Sequence, residues 1–74
     1  MATVLHLLKA DPTPLAVATI ARQLAAGDRV SLALLEGAPR PAHVEGTTVY
    51  GVPEELGYRE LLELIFAADQ VITW

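Results

Sequence analysis

The run Val30-Ser31-Leu32-Ala33-Leu34-Leu35 constrains this chain more than any other stretch. It is nearly continuous in apolar residues and too short for a helix, the pattern of a strand covered on both faces inside a parallel sheet. A parallel neighbour requires a crossover connection, usually helical. The preceding residues supply both. Thr3 to Leu8, TVLHLL, is a second short apolar run with a β-branched start, followed by the breaker-rich Ala10-Asp11-Pro12-Thr13-Pro14. Asp11 or Thr13 is placed to cap a helix whose first position suits Pro14. Val17, Ile20, Ala21 and Leu24 then recur at helical spacing, with Arg22 and Gln23 expected on the solvent side and Gly27 as the C-terminal stop. Strand, helix and strand make one βαβ unit, for which a right-handed crossover is expected.

Glu36 to Gly46 breaks the pattern with two glycines and two prolines and is read as a loop in place of a helix. Thr47 to Val52 reads as a third strand, stopped by Pro53. Glu54 and Glu55 follow as an exposed turn. Tyr58, Leu61, Leu62 and Ile65 give a second helix its apolar face, Asp69-Gln70 ends it, and Val71 to Trp74 closes the chain as a short strand. The order β-α-β-loop-β-α-β predicts one α/β domain over residues 1–74, three layers deep, around a mostly parallel four-stranded sheet.

Composition bears on what such a domain needs around it. Its 74 residues are 53% apolar and only 19% charged, against about 25% charged in an average soluble domain. A domain of this size buries a modest share of its surface, and it has no cysteine for a disulfide. Assembly with another subunit is therefore expected. A bilayer is a poor alternative cover, since the longest uncharged run, Pro12 to Ala21, falls well short of a span. The net charge of -4 and the scattered Lys9, Arg22, Arg29, Arg40 and Arg59 argue against this chain binding nucleic acid alone. The opening MATVLHLLK lacks the pattern of a signal peptide, and a cytoplasmic location is expected.

In open parallel sheets ligands bind at the carboxyl ends of strands, which points to Lys9, Asp11 and Thr13 beside a helix N-terminus as a candidate anion loop. No glycine-rich phosphate motif accompanies them, and DPTP is accounted for as a cap. His6, inside the first strand, reads as a hydrogen-bonded core or interface residue. His43 has no ligand-spaced companion, so no metal site or cofactor is expected. Glu54-Glu55 reads as solvated turn charge, and Ser31 and the threonines lack a base, so a catalytic constellation is absent from the sequence pattern. Trp74, Tyr58, Tyr50 and His6 are the candidate interface residues, because aromatics cover large areas while keeping a polar tip. Loss of Trp74 is expected to disturb assembly more than folding.

VLHLL near the start, GDRVSLALLEGA, VYGVPEEL and the closing LGYRELLELIFAADQVITW together resemble the small sulfur-relay subunits of the TusB/DsrH type, within the DsrE/DsrF/DsrH-like superfamily. Gly27-Asp28, Glu36-Gly37-Ala38, Val49-Tyr50, Tyr58 and Trp74 are its most particular points. The chain is shorter than is usual in that family, lacking most of the helix after the second strand and a helix and strand between Glu55 and Tyr58. It also has no cysteine, so it cannot itself carry a persulfide. The resemblance implies a non-catalytic subunit of a hetero-oligomer that relays persulfide sulfur toward 2-thiouridine at the tRNA wobble position or toward sulfur oxidation. Its implied partners are DsrE/TusD-like and DsrF/TusC-like subunits. Two other readings stand beside it. One is a homo-oligomeric small-molecule or anion-binding domain using Lys9 to Thr13. The other is a homo-oligomeric enzyme assembling Glu54, His6 and residues of a neighbouring chain.

Overall fold

A computed structural model describes residues 1–10, 12–35, 38, 46–52 and 54–74. The elements are β1 (Thr3–Leu8), α1 (Pro14–Ala25), β2 (Arg29–Leu34), β3 (Thr47–Gly51), α2 (Tyr58–Ala67) and β4 (Gln70–Thr73). They form one sheet in the order β3-β2-β1-β4, with every neighbouring pair parallel. The α/β architecture expected from the sequence is present, with strand boundaries displaced by about one residue. Apart from Ala38 and Gly46, the connection Glu36 to Gly46 lies outside the described residues, as do Asp11 and Pro53.

The apolar runs of β1 and β2 are explained by their place at the centre of the sheet. Their alternating side chains feed two separate cores. On one face Leu8, Val30, Leu32 and Leu34 pack with Ile20 of α1, and Leu24, Val49 and Trp74 close around them. On the other Leu5 and Ala33 pack with Val52 and with Leu61 of α2, backed by Leu64, Ile65 and Ala68. The chain moves one way across the sheet through α1 and the opposite way through α2. Two crossovers of the same hand therefore require helices on opposite faces, as found.

The helix faces differ from the periodicity expected. On α1 the buried residues are Ala16 and Ile20, while Val17 is 47% exposed and Ala21 is also exposed. Gln23, expected toward solvent, is half-buried instead. The inward face is Ala16, Ile20, Gln23 and Leu24, and the reason is the polar side chain it must meet beneath it, that of His6. On α2, Tyr58 and Leu62 are exposed and the inward face runs Leu61, Leu64, Ile65 and Ala68. Leu64 and the C-cap residue Ala68 pack on the sheet side, while Tyr58, Leu62 and Phe66 stay exposed, so the apolar surface of α2 extends beyond the part that meets the sheet.

The ends of these elements have explicit partners. Thr13 caps α1, its hydroxyl accepting from the Ala16 N–H at 3.1 Å, with Pro14 next. At the other end Gly27 takes φ +87, a left-handed conformation. Its N–H reaches the Leu24 carbonyl and that of Asp28 reaches the Gln23 carbonyl, the paired bonds of a Schellman motif. Two aspartates then hold the amino end of β1. Asp28, before β2, accepts from the Ala2 N–H at 3.1 Å, and Asp69, before β4, accepts from the Thr3 N–H at 2.8 Å.

Candidate functional site

β1 and β4 are neighbours whose outgoing and incoming connections run on opposite faces, which makes the boundary between them the topological switch point of the sheet. Trp74 sits there, immediately after β4, with its backbone N–H donating to the Leu7 carbonyl at 3.0 Å. His6 lies in the middle of β1, paired with Ile72 of β4 and Leu32 of β2. It is the only buried polar or charged residue among those described, with 0% of its surface exposed.

Both ring nitrogens of His6 are engaged. The Trp74 indole N–H donates to Nδ1 at 2.8 Å, and Nε2 lies 2.7 Å from Oε1 of Gln23. An indole can only donate, so Nδ1 is the acceptor and the ring proton is on Nε2, donating to the Gln23 amide oxygen. The imidazole is thus fixed as the neutral Nε2–H tautomer. The ring centroids of His6 and Trp74 are 6.1 Å apart with planes 10° from parallel. Since an indole N–H donates in the plane of its ring, these values set the two rings side by side in nearly one plane, not face over face. Burial holds the His6 pKa below its ordinary 6.5, and the hydrogen bond to Gln23 opposes that shift in part. A fully buried, doubly bonded neutral imidazole is a structural crosslink between β1, α1 and β4. It has no free nitrogen with which to act as a base, and Glu54 is exposed in the turn after β3.

The structure therefore brings together two of the four candidate interface residues, His6, which is buried, and Trp74, which is half-buried. Trp74 also packs against the α1-side core. Tyr58 is 58% exposed at the start of α2, and Tyr50 is half-buried on the edge strand β3. In the candidate anion loop Lys9 is exposed, the Thr13 hydroxyl serves the helix cap, and Asp11 lies outside the described residues. Glu55 is exposed in the turn, yet its Oε1 accepts from the Gly51 N–H at 2.8 Å while its own N–H donates to the Gly51 carbonyl at 2.8 Å. It closes the turn after β3. Among the described residues no group of three or more His, Cys, Asp or Glu is placed to hold a metal, and no helix is long and apolar enough to cross a membrane. His43 and Arg40 lie outside the described residues.

The residue that sequence reasoning missed is Gln23. Its signal was present, since it stands three residues after Ile20 and one before Leu24. A polar side chain on that face needs a buried polar partner, and His6 is the one available.

Among the described residues the large exposed apolar side chains are Met1, Leu15, Val17 and Val71 and, on the outer surface of α2, Tyr58, Leu62 and Phe66. Tyr58, Leu62 and Phe66, spaced i, i+4 and i+8, are 58%, 53% and 83% exposed. Single exposed apolar side chains are ordinary, whereas these three form one row on a short helix. Compared with known protein families, characterised proteins and solved structures, the chain has no significant match in any of the three.

Proposed function

We propose that this chain is a non-catalytic interaction subunit of a cytoplasmic persulfide-relay assembly. The observation that carries the assembly part of this reading is the exposed row Tyr58, Leu62 and Phe66 on α2. The sulfur part rests on the resemblance of GDRVSLALLEGA, VYGVPEEL and the Tyr58-to-Trp74 segment to TusB/DsrH-type subunits. With no cysteine, the chain has no thiolate to accept or pass on sulfur. Its part is then to hold and shape a thiol-bearing DsrE/TusD-like or DsrF/TusC-like neighbour, and the acidic net charge suits contact with proteins. Delivery of the sulfur to tRNA or to an oxidation pathway falls to other members of the assembly.

The test is a sulfur-transfer assay on the reconstituted assembly. With this chain present, the partner's cysteine takes up persulfide and passes it on. When the chain is left out, that transfer falls at least tenfold. Unchanged transfer in its absence contradicts the reading.

A further inference from the structure

We infer that the assembly marked by the exposed row on α2 is built on a dimer of this chain, α2 docking antiparallel against α2 of a second copy, so that any thiol-bearing neighbour meets another surface of that dimer. Residues four apart in a helix lie on one face, so Tyr58, Leu62 and Phe66 form a single row with an aromatic at each end and leucine between them. Arg59 and Glu63, both exposed and also four apart, run beside that row on one flank. A two-fold axis through Leu62 makes this surface complementary to itself: Tyr58 meets Phe66 of the second copy, Leu62 meets its own equivalent, and Arg59 comes beside Glu63 of the second copy. A parallel two-fold pair places the Arg59 and Glu63 flanks of the two copies on opposite sides of the seam, so no charge meets its opposite. The charges thus select the antiparallel pair, and the spacing of the aromatics fits the same axis.

The contact is one short helix long. It belongs at the small end of specific interfaces, so a dissociation constant of about 10–100 µM is expected. Light scattering on the purified chain should show a mass rising from 7.9 kDa toward twice that value across this range. Leu62→Glu should weaken self-association at least about thirtyfold with an unchanged circular dichroism spectrum. Because the chain has no cysteine, single-cysteine variants read the orientation directly. Leu62→Cys should oxidise to a crosslinked dimer, and Tyr58→Cys should crosslink to Phe66→Cys in a mixture in preference to itself. A chain that stays monomeric at millimolar concentration, a dimer indifferent to Leu62→Glu, or Tyr58→Cys pairing preferentially with itself each overturns the inference. If Leu62→Glu abolishes capture of a thiol-bearing subunit while the isolated chain is monomeric throughout, that partner covers the row and the inference is also wrong.

Discussion

The indole N–H of Trp74 donates to Nδ1 of His6 at 2.8 Å, joining residues 68 apart in sequence. Through His6 the bond continues to Gln23 of α1, so one buried imidazole ties the last strand to the first strand and to the helix above them. Each partner fixes what the other can do, because the indole forces Nδ1 to accept and leaves only Nε2 to donate.

Acid should loosen this crosslink. Burial holds the folded-state pKa of His6 below 6.5, so between the two values the unfolded chain binds a proton that the folded chain does not. Stability is therefore fully present above the unfolded value and declines as pH falls below about 6.5. Urea midpoints should be level from about pH 8 to 7 and drop toward pH 5, and His6→Gln should remove that part of the slope. Comparing the two chains separates His6 from His43. A slope unchanged by the substitution contradicts the assignment.

Trp74 should separate into two contributions. Trp74→Phe keeps most of the packing but leaves Nδ1 of a buried ring without its donor, a cost of about 1–3 kcal/mol. Trp74→Ala also removes the contact with the α1-side core and should cost about 3–5 kcal/mol. Chemical denaturation measures both. A cost below about 1 kcal/mol for Trp74→Ala would place the side chain's role at the surface instead.

Gly27 is held by backbone conformation alone. Its φ is +87 and a Cβ there would meet nothing within 4 Å, so Gly27→Ala should cost about 1 kcal/mol, from the left-handed conformation. Gly27→Asn should cost less, since asparagine visits that region more readily. Equal costs for the two would mean that conformation is not what selects glycine.

Thr13 and Lys9 stand close in sequence yet should behave differently. Thr13→Ala removes the acceptor for the Ala16 N–H and should lower stability by about 1 kcal/mol. Lys9→Ala, at an exposed position after β1, should change stability by less than about 0.5 kcal/mol. Thermal or urea unfolding of both variants checks the contrast.

The sheet was legible because strand runs such as Leu32 to Leu34 are apolar on successive positions, and only a parallel strand covered on both faces accounts for that. The ends of α1 were legible for a similar reason, since Thr13-Pro14 and Gly27 each answer a specific backbone need. The rotation of α1 was not. Val17 and Ala21 fit the helical period as well as Ala16 and Gln23 do, and the choice is made by His6, which is distant in sequence. On α2 an apolar excess hid the inward face, because Tyr58 and Leu62 match the period that Leu64 and Ala68 share. That same excess is what leaves a row of side chains outside.

Affinity purification of the chain from its native host, with the masses of the intact complex and its components determined, tests the central claim most directly. Recovery with a cysteine-bearing subunit whose thiol carries persulfide, in fixed stoichiometry, is expected. Recovery of this chain alone or only as copies of itself, with no thiol-bearing subunit, would contradict it.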